Sequence, residues 1–126
     1  MFSEFKSSYD FNETLIKIKD FLNKNNVTIF CEVDHKKNAE SVNMELNNEY
    51  LIVFGSPVLG THLMIDNPRS GIELPLRILI YEKDGVNVLY VEPEYLKSIF
   101  SLGDEYINKI SGLIKALESG LKNRNI

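Results

Sequence analysis

The sequence has one cysteine, Cys31, so it can form no disulfide within itself. That fits a reducing compartment, and the cytoplasm is the expected location. No apolar run approaches the roughly 20 residues that a membrane-spanning helix needs. The opening residues Met1-Phe2-Ser3-Glu4-Phe5-Lys6 lack the basic-then-apolar order of a signal peptide. The longest basic run is Lys36-Lys37, and 18 acidic residues outweigh 14 basic ones for a net charge of −4. A chain that grips phosphate backbones carries a basic stripe instead. Neither nucleic acid nor membrane is therefore expected as a partner. No Gly-Lys-Ser/Thr follows a glycine-rich turn, and no Gly-x-Ser-x-Gly elbow is present. Cys31, His35 and His62 are the only cysteine and histidines, short of the about four ligands of a structural zinc site. No cofactor is expected, and the balance of these absences leans away from an enzyme.

What remains is an ordinary globular composition: 126 residues, 44% hydrophobic and 25% charged. Scaling of accessible surface gives roughly 6,900 Å² folded against about 21,000 Å² unfolded, enough burial for one sizeable core. A single domain over residues 1–126 is expected, with no low-complexity linker and no repeat.

Hydrophobic periodicity places the elements. Phe2 to Tyr9 reads as a short strand. Asp10 and Glu13 have the spacing of a capping box, and Phe11, Leu15, Ile18 and Leu22 then follow at helical intervals. Asn25-Asn26 ends that helix. Val27, Ile29, Cys31 and Val33 alternate with polar residues or Phe30, a strand with one apolar face on which Cys31 would be a buried, inert thiol. His35 to Glu40 is a loop or short helix. Val42, Met44 and Leu46 alternate as a further strand would. Tyr50 to Phe54 reads as a strand buried on both faces. Gly55-Ser56-Pro57 is a turn, and Thr61 caps a short helix that stops before Pro68. Leu74 to Tyr81 and Val86 to Val91 are strands joined by an Asp84-Gly85 hairpin turn. Pro93 suits the first turn of a short helix. Asp104 caps a longer one, whose apolar stripe runs Tyr106, Ile107, Ile110, Leu113, Ile114, Leu117, Leu121. Strand, helix, several strands and helix make an α+β protein, with helices layered on one face of a largely antiparallel sheet.

One stretch is more specific. Residues 51–77 contain Phe54-Gly55-x-Pro57, Gly60-Thr61-x-Leu63-Met64, Pro68, Gly71 and Leu74-Pro75-Leu76-Arg77. Val33-Asp34-His35 and Glu92-Pro93 flank it. This skeleton resembles the domain-of-unknown-function 302 family, over about residues 10–100. The resemblance implies a two-layer sandwich like that of TATA-binding protein, and pairing as a dimer. It implies no particular reaction. His62 stands where many members have proline, and Ser98-Ile99-Phe100-Ser101 replaces a basic, histidine-containing stretch.

Two sets of residues invite chemistry. Gly55, Ser56, Pro57, Gly60 and Thr61 form a strand-to-helix turn. Free N–H groups at a helix start attract anions, and Arg69 and Arg77 would add positive charge. The functional reading is a pocket for a small phosphate or carboxylate. The structural one is a turn whose glycines satisfy backbone geometry. Asp34 and His35 are the one acid–imidazole pair, and with His62 they are the candidates for a metal-dependent accessory or enzymatic function. Pro75 marks a strand start, an edge or a bulge, and an edge there would favour a homodimer. A ligand-binding homodimer is the favoured reading, beside the metal-dependent protein and a structural interaction module.

Overall fold

The computed structural model describes residues 1–123. Five strands form one antiparallel sheet: β1 (Phe2–Lys6), β2 (Thr28–Asp34), β3 (Glu49–Gly55), β4 (Leu76–Glu82) and β5 (Val86–Val91), in the order β1-β5-β4-β3-β2. Consecutive strands β2 to β5 are neighbours, and β1 closes the far edge beside β5. Helix α1 (Phe11–Lys24) must therefore cross the whole sheet to deliver the chain to β2. Its 14 residues allow this: about 1.5 Å per residue gives ~21 Å, and four strand spacings of about 4.8 Å give ~19 Å. The remaining helices are α2 (His35–Glu40), α3 (Pro57–Asp66), α4 (Pro93–Phe100) and α5 (Asp104–Lys122), with a 3-10 turn at Pro68–Ile72.

The core lies between α1, α5 and one face of the sheet. Phe5, Ile52, Phe54, Ile78, Ile80 and Val88 point into it from the strands. Ile18 and Leu22 meet them from α1, and Ile107, Ile110, Ile114, Leu117 and Leu121 from α5. The Asp10 cap forms at the expected place, with Glu13 N–H donating to Asp10 Oδ1 at 2.8 Å. Asn26 takes the left-handed conformation, φ 58, that ends α1. Gly85 turns the β4–β5 hairpin at φ 111, where a side chain would be strained.

Several boundaries differ from the sequence expectation, each for a visible reason. β1 ends at Lys6. The segment around Val42, Met44 and Leu46 is not a strand: all three side chains are exposed. Met44 N–H donates to Ala39 carbonyl at 2.9 Å, and Asn43 sits at φ 61, folding the chain back on α2. β3 is buried on one face only, because Leu51 and Val53 point to the face that no helix covers. α3 starts at Pro57, with Ser56 as its cap, so Thr61 lies inside the helix and caps nothing. Gly103, not Asp104, is the cap position of α5. Asp104 instead pairs with Lys97 of α4. Pro75, joined to Leu74 by a cis peptide, immediately precedes β4, and β4 is central in the sheet. Pro75 marks a strand start, and the edges belong to β1 and β2.

β2 carries the largest surprise. Ile29 pairs with Phe54 and Cys31 with Val53, so Phe30 is an extra residue in a bulge. The alternation inverts there. Ile29 faces the helices, while Cys31 and Val33 share the open face with Val53 and Leu51. Cys31 is exposed rather than buried.

Candidate functional site

The expected turn opens onto a cavity of about 470 Å³. Four segments wall it. Leu59, Gly60, Leu63 and Met64 come from α3, and Leu74-Pro75 from the run into β4. Ile110, Leu113 and Lys109 come from α5. Asn25 to Val27 and Phe30 come from the α1–β2 connection and the bulge. The bulge matters here: the extra residue swings Phe30 toward the cavity, where its ring lies 3.7 Å from a Cβ built on Gly55. The wall is predominantly apolar, and Lys109 is the one charged residue among the described residues that line it.

Gly55, Ser56, Pro57, Gly60 and Thr61 are thus brought together around one space. Their polar groups are largely committed. The Ser56 hydroxyl oxygen accepts from Leu59 N–H at 3.3 Å, and Gly60 N–H donates to Ser56 carbonyl at 2.8 Å. Thr61 Oγ1 donates to Pro57 carbonyl at 2.6 Å. The helix start is therefore mostly satisfied by its own residues. Arg69 and Arg77 are not among the lining residues. Arg77 lies on the open sheet face and pairs with Glu73 at 2.6 Å. Arg69 lies in the 3-10 turn, its N–H donating to Asn67 at 3.0 Å.

The acid–imidazole set is not brought together. Asp34 caps α2, accepting from Lys37 N–H at 2.9 Å. It and His35 sit at the end of β2 remote from Thr28, six residues or about 20 Å along the strand. His62 stacks on Tyr106, ring centroids 4.5 Å apart and planes 9° apart, and so ties α3 to α5. Among the described residues no three His, Cys, Asp or Glu side chains cluster closely enough to hold a metal ion.

Perturbed titration occurs elsewhere, at the sheet edge. Glu32 accepts from Tyr50 Oη at 2.6 Å and pairs with Lys19 of α1 at 2.5 Å. The Lys19 hydrogen bond, then the Tyr50 one, holds Glu32 below the usual carboxylate range. The Glu32 hydrogen bond raises Lys19, and burial first, then Glu32, raises Tyr50. This is a clasp between α1 and β2–β3.

Phe30, Val27, Lys109 and Leu113 were not legible as site residues. A bulge leaves no periodicity signal of its own, and Leu113 belongs to the same apolar stripe as the core positions of α5.

Residues 3–117 match the family described as Domain of unknown function DUF302. This chain belongs to the DUF302 family. Its fold is that of another DUF302 protein, the uncharacterized conserved protein DUF302 from Bacillus stearothermophilus. That crystal structure has a TM-score of 0.83 at 14% identity, covering 96% of this chain and 98% of that one. Two proteins named Fluoride-specific ion channel FluC 1 are also similar. The one from Brucella suis biovar 1 (strain 1330) is 32% identical over 101 residues, 78% of this chain and 39% of that protein. The one from Brucella abortus biovar 1 (strain 9-941) is 32% identical over 101 residues, 78% of this chain and 37% of that protein. The DUF302 chain thus spans under two-fifths of these relatives' length. Among its described residues, no helix is long and apolar enough to cross a membrane.

Proposed function

We propose that this DUF302 chain is a binding domain for a small, mainly apolar molecule, held at the Gly55–Met64 turn. The observation that carries the reading is the cavity itself. Its volume of about 470 Å³ falls in the range of roughly 300–1,000 Å³ typical of small-molecule sites. Burial of apolar atoms would supply the affinity. The channel name of the Brucella relatives belongs to proteins of which the chain matches the smaller part, and a binding module needs no membrane-crossing helix. An exposed thiol at Cys31 fits a reducing compartment, so the cytoplasm is where the domain is expected to act. The test is amide chemical-shift mapping with toluene as probe. Saturable shifts at Gly55 to Met64, Ile110 and Leu113 are expected. Shifts absent there, or confined to the open sheet face, would remove this reading.

A second observation favours a homodimer. The open face carries Val33, Leu51, Leu79 and Leu89 in one row across four strands, with Val91 and Phe2 beside them. Phe2 is 60% exposed. Five strands about 4.8 Å apart and six residues at about 3.4 Å cover roughly 500 Å² in projection, and upright side chains add to that. The total approaches the roughly 800 Å² per partner of a standard interface. Arg77 on this face is paired with Glu73, and the carboxylates Glu4 and Glu49 lie at its margin, where Glu4 accepts from Tyr81 Oη. A self-complementary patch is what a two-fold dimer requires. Sedimentation velocity at micromolar concentration should give a dimer, and Leu79→Glu should give a monomer of unchanged circular dichroism. A wild-type monomer overturns the dimer.

A further inference from the structure

We infer that the molecule held in this cavity is an amphiphilic carboxylate, an aliphatic chain with a single anionic end, its chain under α3 and its carboxylate at Lys109. This deepens the binding reading and rests on it.

The cavity has a direction. Its interior is lined by side chains such as Leu59, Leu63, Leu76, Ile110 and Leu113, which offer no polar partner to a buried group. Lys109 is exposed and lies on its wall. No Asp or Glu is among the described residues that line it. A cationic head would thus meet only a like charge, and a neutral one would leave the ammonium unused. Lys109 Nζ forms no ion pair among the described residues, and its recorded interaction is with the Tyr106 ring, 5.5 Å to the centroid. It is a cation with coordination to spare.

The donor set also fixes the kind of anion. A dianionic phosphate calls for several donors or a planar guanidinium fork. Here Thr61 has its proton on the Pro57 carbonyl, and the two arginines of this region lie off the cavity wall. That leaves one ammonium beside neutral donors only: the Ser56 hydroxyl proton, which the acceptance from Leu59 does not consume, and the side-chain amides of Asn25 and Asn26 on the same wall. A single positive charge among neutral donors matches a monoanionic carboxylate.

α3 is the thinly packed wall of the cavity. That helix buries only Leu63, while Val58 and Ile65 are 64% and 72% exposed. A Cβ added at Gly60 would meet nothing nearer than Met64 Cε at 4.0 Å, so the cavity wall has room there.

The test is isothermal titration calorimetry on the full chain with decanoate and decyltrimethylammonium below their micelle concentrations and decanol below its solubility limit. Decanoate should bind the wild type most tightly and decyltrimethylammonium least. Lys109→Met should weaken decanoate by about two- to fivefold and leave decanol almost unchanged. Lys109→Arg should restore the preference for decanoate. Gly60→Leu, which fills the cavity, should abolish binding of both. Equal affinity for decanoate and decanol, or a ratio unmoved by Lys109→Met, would overturn the carboxylate and leave the apolar site standing. Failure of all three probes to bind, or binding undisturbed by Gly60→Leu, would overturn the cavity reading and this inference with it.

Discussion

Helices α3 and α5 are both rich in apolar residues, yet they are used in opposite ways. α5 keeps its large apolar side chains on one stripe, and Ile107, Ile110, Ile114, Leu117 and Leu121 are buried against the sheet and α1. Its other face carries Lys, Glu, Asn and Ser. α3 has apolar residues all round and buries one of them, Leu63. A helix apolar on every side is ordinarily interior. This one lies over a cavity, fastened at its start by the Ser56 cap, along its length by the His62–Tyr106 stack, and near its end by the Asp66 bond to Gly103 N–H at 3.2 Å. The lesson is that apolar content does not by itself make a helix part of the core. Its arrangement decides, and an apolar helix that the core does not use is free to cover a site.

The sharpest way to break this comparison is to truncate one side chain on each helix. Ile107→Ala should lower unfolding free energy by about 2–5 kcal/mol in a denaturant titration, since a fully buried side chain leaves a cavity behind. Ile65→Ala should stay within about 0.5 kcal/mol. Similar losses from the two would mean that α3 is as much core as α5. A finer test removes the fastening. Ser56→Ala should cost about 1 kcal/mol, the usual loss of a helix N-cap. Hydrogen exchange should show it chiefly at α3 amides, with α5 amides little changed. Equal acceleration in both helices would show that α3 opens only when the whole molecule does.

The smallest effect asks what charge adds to a helix already docked by its apolar face. α1 is such a helix, and Lys19 joins it to Glu32. Glu32 has a folded pKa below its unfolded one, so its contribution is present above the ordinary carboxylate range. It is lost as pH falls through the depressed folded value. Lys19, shifted upward, loses its contribution only as pH rises through a value above 10.5. Tyr50 favours its neutral form in the fold, so stability also declines once pH exceeds about 10. Both side chains of the pair are about one-third exposed, and the whole effect should be under about 1 kcal/mol. Glu32→Gln should flatten the acid limb of a stability profile by that amount. A profile unchanged by Glu32→Gln would show that the clasp contributes nothing to docking.

Most elements with a clear local cause were legible. The Asp10 cap, the Asp84-Gly85 hairpin and the α5 stripe are set by residues close in sequence, and each forms where its residues stand. The Gly55-to-Thr61 segment was legible as a place of interest, because glycines, a proline and a hydroxyl crowd into it. Its chemistry differs in one respect: Ser56 followed by Pro57 is already a cap and a first helical residue, which moves the cap five residues earlier, from Thr61 to Ser56. The donors expected at Thr61 are consumed inside α3.

By itself the sequence determined the class of protein: one antiparallel sheet, helices layered on it, and a family legible in the spacing of residues 54–77. Those features follow from periodicity, turn residues and caps, which act over a few bonds. Only the tertiary structure decided which sheet face is covered, where Cys31 and Phe30 point, and that Lys109 stands on the wall of an apolar cavity. The Phe30 bulge changes the alternation of β2 without a mark in its composition. The placing of Lys109 and Gly60 on one wall depends on a helix that begins 38 residues after α3 ends. Contacts between segments so far apart are fixed by how the layers pack, which local propensity does not encode.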